Sequence, residues 1–197
     1  MRATILGLSL LVVPPTLFAQ EGSDSLPFRR GQWAAEFGGG LSLASLGALK
    51  FRTPTSAWLL NVNIGAGHAE TITGAPVSDV EVQSQAGLTL RVGRRTFTAA
   101  GAKIAAFHSL GILAGFTHNA TSSTSFGASE TNGWSTGFFG DLGGRYLLTP
   151  HLGIGVTVAA TATYIRTTTR PNFGPKTKGW SLGLAGPSLS FAATVFF

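Results

Sequence analysis

Between residues 79 and 97 the chain alternates with a two-residue period. Val80, Val82, Ala86, Leu88, Leu90 and Val92 occupy one set of positions, and Glu81, Gln83, Gln85, Thr89 and Arg91 the other. Successive side chains of a strand point to opposite faces, so this spacing specifies a strand with one apolar face and rules out an amphipathic helix. Seven further segments repeat the pattern between clusters of Gly, Pro, Ser, Thr and Asn. Eight strands are therefore expected, over about 31–43, 46–52, 57–67, 79–97, 105–118, 131–148, 151–165 and 179–197. Ala99 to Ala106 also suits a helical turn, which makes the start of the fifth strand ambiguous.

Charged residues make up 11% of the chain, against roughly 25% in an ordinary soluble domain. Beyond the first twenty residues, no segment reaches 18 uninterrupted apolar residues. Lipid accommodates only helices and closed barrels, because every backbone polar group must be paired internally. High hydropathy without a spanning helix therefore leaves strands. Cysteine is absent, so neither a disulfide nor a lipid anchor on an N-terminal Cys holds the fold. The net charge of +6 is spread along the chain, which argues against a nucleic-acid-binding surface.

Met1-Arg2, the apolar run Ile5 to Val13, Pro14-Pro15 and Leu17-Phe18-Ala19 have the layout of a cleavable signal peptide with its cut after Ala19. The run is far shorter than the roughly 20 residues that span a bilayer. The expected organisation is a signal peptide at 1–19, an N-terminal periplasmic segment at 20–30 and one barrel domain at 31–197.

The last strand changes phase. Trp180, Leu182 and Leu184 share one parity; Leu189, Phe191, Val195 and Phe197 share the other. One extra residue near Ala185-Gly186-Pro187 reconciles them, so a β-bulge is expected there. Connections should alternate in length. Residues 68–78, 119–130 and 166–178 read as long polar loops, 53–56 and 149–151 as tight turns, and the first connection falls near Ala44-Ser45.

Period two alone does not say which face meets lipid. A lipocalin also has eight strands, and Gly31-Gln32-Trp33 resembles the lipocalin Gly-x-Trp signature. However, the face opposite the large apolar residues is rich in Gly, as at Gly38, Gly40, Gly65, Gly67, Gly153 and Gly155. Small residues suit the narrow interior of an eight-stranded barrel. Aromatics fall at strand ends. Trp33, Phe51, Trp58, Phe97, Tyr146 and Phe197 form one expected girdle, and Phe116, Trp134, Tyr164 and Trp180 the other. The assignment that turns these residues outward also hides Arg91 from lipid, where it would cost about 2–4 kcal/mol at mid-depth.

The reading is all-β: an eight-stranded antiparallel up-and-down transmembrane β-barrel in the outer membrane. In its signal peptide, strand count, girdles and terminal Phe191-x-x-x-Val195-x-Phe197 strand, the chain resembles the small outer-membrane barrels of the OmpA-like transmembrane domain and OmpW type. That resemblance implies that Phe191, Val195 and Phe197 are read by the outer-membrane assembly machinery. It also implies outer-membrane lipids and lipopolysaccharide as surroundings. No periplasmic domain is expected after the barrel, so the resemblance is expected to carry no peptidoglycan-binding role.

The candidate lumen cluster is Glu36, Lys50, Arg91, Asp141 and Arg145, with Glu81 as a further inward acid. Paired charges are tolerable in such an interior and unpaired ones are costly. They read either as a plug that orders the lumen or as a gate for small solutes. His108-Ser109 is the one adjacent pair suggestive of hydrolase chemistry, but strand neighbours point to opposite faces. No catalytic residue, metal or cofactor is therefore assigned. His68 and His118, near Glu70 and Asn119, read as wet rim residues, and Gly137, Gly140 and Gly143 as barrel packing. Arg166, Arg170, Lys176 and Lys178 form a basic segment suited to anionic lipid head groups. A barrel with a side-chain-filled lumen and a structural or surface-recognition role through its external loops is expected, with a narrow pore for small or hydrophobic solutes as the alternative. A lipid A-modifying enzyme and a soluble carrier rank lower.

Overall fold

A computed structural model describes residues 26–40, 43–73, 79–124 and 127–197. The expected signal peptide at 1–19, and Leu41, lie outside the described residues. Eight strands follow one another: β1 (Trp33–Gly40), β2 (Leu43–Thr53), β3 (Ser56–Thr73), β4 (Asp79–Gly101), β5 (Ile104–Ser123), β6 (Gly127–Thr149), β7 (Leu152–Pro171) and β8 (Thr177–Phe196). Each pairs antiparallel with its neighbour, and β8 returns to β1, closing the ring. Closure runs from Ala34 opposite Phe196 to Gly39 opposite Phe191. The Phe197 amide adds a further bond to the Trp33 carbonyl at 2.9 Å. Closure removes the free edges that an open sheet would expose to lipid.

The tight turns lie at one end, at Pro54-Thr55, Ala102-Lys103 and Pro150-His151. No helical turn forms at 99–106: β4 continues to Gly101 and β5 resumes at Ile104. At the other end the segments expected as long polar loops are mostly strand. Only 74–78, 124–126 and 172–176 separate β3 from β4, β5 from β6 and β7 from β8. Apart from a few residues such as Ile72, these strand ends are polar, so the alternation that marks a membrane strand fades although backbone pairing persists. Ala44 and Ser45, expected in the first connection, are paired residues of β2 opposite Gly39 and Gly38.

The expected bulge is present. Ala159 pairs with Ser188 but Thr161 with Ala185, leaving one extra residue on β8. Gly186 has a φ of +136° there, and a Cβ would sit 2.9 Å from the Ala159 carbonyl oxygen. Only glycine meets both conditions without strain.

Strand lengths are uneven. β1 has 8 residues and β2 has 11, whereas β3 to β8 have 18 to 23. Pairing of β2 with β3 stops at Leu43–Gly65, and pairing of β1 with β8 at Gly39–Phe191. Above those pairs, β3 and β8 rise without a strand between them among the described residues.

The outer surface is apolar. Phe37, Leu46, Leu60, Ile64, Leu90, Ile112, Phe138, Leu142, Ile154, Leu182 and Leu184 are all exposed. Phe51 and Phe97, expected on that outer face, point inward and are almost fully buried, as is Leu49. The register explains this: Trp33 pairs with Lys50 and turns it outward, which drives Leu49 and Phe51 into the lumen.

Candidate functional site

The interior is built in tiers. At the short-turn end it is aromatic. Phe28, from the segment before β1, lies 4.7 Å from Phe51, 5.0 Å from Phe97 and 5.1 Å from Phe196 between ring centroids. Leu49, Leu59 and Leu147 complete this plug. The stretch expected as a periplasmic segment therefore ends inside the barrel mouth.

Immediately above lies an ion cluster. One carboxylate oxygen of Glu36 accepts from Arg95 at 2.6 Å and also from Arg145. Thr194 Oγ1 donates to the same oxygen at 3.5 Å, and Arg95 Nε donates to Ser109 Oγ at 2.9 Å. All five residues are buried. The Arg145 guanidinium is 5.5 Å from the Phe107 ring and 5.9 Å from each of Phe97 and Phe196. Ring faces thus supplement its single carboxylate partner. A second pair, Arg91 with Asp141, sits higher, with the Arg91 guanidinium 3.9 Å over Phe139.

Inward glycines make room for these rings. A Cβ on Gly93 or Gly111 would fall 2.8 Å and 2.6 Å from Phe139, and one on Gly143 would fall 2.4 Å from Phe107. Gly140, by contrast, faces outward beside Leu110.

Of the five residues expected in the lumen cluster, the structure brings together Glu36 with Arg145, and Arg91 with Asp141. Lys50 does not join them. It is exposed on the outer face with its ammonium 4.9 Å over the Trp33 ring, because it shares Trp33's face across the β1–β2 pair. Its expected place is taken by Arg95, which the sequence reading missed. Arg95 lies four residues from Arg91 on β4, so strand parity alone puts both on one face. Glu81 accepts from Gln83 at 2.6 Å near the far rim, away from the cluster.

Above Arg91 the lumen opens into a cavity of about 500 Å3. Asn63, Gln85, Thr89, Thr117, Ser135 and Thr163 are among its walls, so it is rich in hydroxyl and amide groups, with Arg91, paired to Asp141, as its one charged lining residue. Gly65 and Gly67 of β3 and Ser188 of β8 also line it. The cavity therefore adjoins the stretch where β3 and β8 have no strand between them.

The remaining candidates stay apart. His108 is exposed outside while Ser109 is buried inside. His118 Nδ1 is 2.8 Å from Asn132 Oδ1, and no group of three potential metal ligands occurs among the described residues.

On the outside, Trp33, Trp58, Tyr146 and Phe197 are exposed toward the short-turn end, as are Trp134, Tyr164 and Trp180 toward the other. Phe97 and Phe51 leave the girdle for the lumen. Tyr146 and Trp134 lie twelve residues apart on β6, about 28 Å along the axis for a strand tilted roughly 45°. That is close to the thickness of a bilayer's hydrocarbon core. Phe191, Val195 and Phe197 line the outer face of the closing strand.

No protein-family model matches the sequence, and no curated protein matches it. Among solved structures the chain is similar to a major outer membrane protein from Thermus thermophilus, with 13% identity and a TM-score of 0.50, over 84% of this chain and 99% of that one. The chain folds as an outer-membrane β-barrel. A looser likeness joins it to CarO of Acinetobacter baumannii, at 8% identity and a TM-score of 0.41, over 85% of this chain and 98% of that one. The apolar belt between two girdles suits a barrel set across the outer membrane, a setting in which short turns ordinarily face the periplasm.

Proposed function

We propose that this outer-membrane barrel is closed to conduction and presents a rigid recognition vestibule to the outside. The carrying observation is the tiered lumen. Phe28, Phe51, Phe97 and Phe196 fill the periplasmic mouth, whereas the external half holds the cavity of about 500 Å3. A lining of hydroxyl and amide groups, with Arg91 already held in its pair with Asp141, suits a small uncharged, hydroxyl-bearing ligand. The external rim supports contact with lipopolysaccharide phosphates, because Trp134, Arg166 and Trp180 form one cross-strand row on the outer face. Phe191, Val195 and Phe197 would act as the assembly signal on the outside of the closing strand. Planar-bilayer recording tests the central claim. The purified protein should give no discrete conductance steps, and steady openings in the wild type would sink it.

A second reading rests on the gap between β3 and β8 beside the cavity. It would let an amphipathic solute pass sideways between cavity and bilayer. Binding of a fluorescent amphiphile that weakens in Ser188→Trp would support exchange there; unchanged binding would remove this reading.

A further inference from the structure

We propose that the periplasmic rim carries a phospholipid headgroup site, built by Arg52 and Arg94 with Ser56 and Trp58, for one anionic phospholipid of the inner leaflet. The four residues, with Thr53 and Ala57, line an outward depression of about 220 Å3 beside the β2–β3 turn. Arg94 pairs across the ladder with Trp58, yet its Nε donates to Ser56 Oγ at 2.9 Å, two residues nearer the rim. The side chain thus runs down the barrel wall toward the headgroup level, as long basic side chains do at a bilayer boundary. This bond fixes the guanidinium plane and leaves its two terminal nitrogens without a hydrogen-bond partner among the described residues. Arg52 reaches the same depression from an irregularity between Phe51 and Thr53, where the register of β2 against β3 shifts.

Charge balance supplies a second, independent argument. Arg29, Arg30, Lys50, Arg52, Arg94 and Lys103 are all exposed toward the periplasmic end. Among the described residues, Glu36 and Asp141 carry the only acidic side chains below the external strand ends, and both are buried in lumen pairs. The rim's cations therefore have no acidic side chain among the described residues to balance them. A planar guanidinium fork matches a phosphate's oxygens, and Trp58 marks the depth at which lipid phosphates lie. The occupant the chemistry selects is a phosphodiester carrying net negative charge, with its acyl chains along the apolar wall above. A zwitterionic lipid, which offsets its own phosphate, fits less well.

The test is native mass spectrometry of the full mature chain released from detergent micelles, titrated with phosphatidylglycerol, phosphatidylcholine or inorganic phosphate. The wild type should retain one phosphatidylglycerol in preference to phosphatidylcholine. Arg52→Gln with Arg94→Gln should weaken that retention about tenfold. Arg52→Gln alone leaves the Arg94–Ser56 bond intact and should give a partial loss in a folded barrel. Lys103→Gln, which removes one exposed charge from the same rim outside the depression, should keep wild-type retention. Equal retention of phosphatidylcholine, full retention by both Arg52 variants, or an equal loss in the Lys103 variant would overturn the site. Displacement of the lipid by millimolar inorganic phosphate would reassign it to free phosphate and overturn the lipid proposal.

Discussion

Phe28 stacks on Phe196, with ring centroids 5.1 Å apart and planes 25° from parallel. The segment that precedes the first strand thus docks on the penultimate residue of the chain. The barrel's two ends meet inside its periplasmic mouth, next to the ladder that joins β1 to β8. The plug and the closing seam are one packing unit, so what loosens one loosens the other.

Phe28→Ala removes the one ring of this plug that the strands do not supply. Loss of a buried Phe from a packed core costs about 3–5 kcal/mol, so the heat-modified gel transition should move to lower temperature. The same variant should also admit brief ion flow in planar bilayers, because Arg95 and Arg145 are then the next obstacle. A variant as heat-stable and as silent as the wild type would show that Phe28 merely rests on the mouth.

Glu36 serves two guanidinium groups at once. Glu36→Gln leaves Arg95 and Arg145 buried together without a counter-charge. Breaking a buried pair by removing one partner typically costs about 3–5 kcal/mol. Lys50→Gln, on the outer face, should change stability by under about 0.5 kcal/mol. Urea unfolding followed by tryptophan fluorescence in lipid vesicles separates the two; comparable losses would contradict the placement of Lys50 outside.

These residues show where the sequence is legible and where it is not. Along β6, Trp134, Phe138, Leu142 and Tyr146 stand against Gly137, Asp141 and Arg145, and only one face can meet lipid. In β2, Leu46 and Leu49 carry opposite parity, because the lumen floor is apolar too. The alternation then loses its contrast, and the same error of phase puts Phe51 outside and Lys50 inside. Arg95 was within reach, sharing parity with Arg91. Phe28 was not, since it lies outside any alternating run and its burial depends on the closed mouth. The strand extensions past the membrane were hidden for another reason: with water on both sides, no hydrophobic contrast remains to mark them.

The bulge on β8 sets which face of that strand meets lipid. Deleting Gly186 would restore unbroken pairing with β7 but reverse the facing of everything on one side of it. If the lower half keeps its seam with β1, then Trp180, Leu182 and Leu184 turn inward, because a shift of one residue flips every side chain. This deletion should abolish heat-modifiable folding. Gly186→Ala, which keeps the residue count, should fold with a loss of about 1–3 kcal/mol from the strained backbone.

The glycines beneath Phe139 allow a sharper test, because a second mutation should undo the first. A Cβ on Gly111 would lie 2.6 Å from Phe139 and 2.2 Å from the Val92 carbonyl oxygen. Gly111→Ala should therefore destabilise by about 1–3 kcal/mol through overpacking. Gly144, one strand away on the outer face, has nothing within 4 Å of such a Cβ, and Gly144→Ala should be nearly neutral. Phe139→Leu removes the ring but not the carbonyl, so adding it to Gly111→Ala should recover part of the loss. Vesicle unfolding of the two singles and the double measures the coupling. Strict additivity would mean that Phe139 does not press on Gly111, and that the backbone clashes with Val92 and Gly93 account for the whole cost.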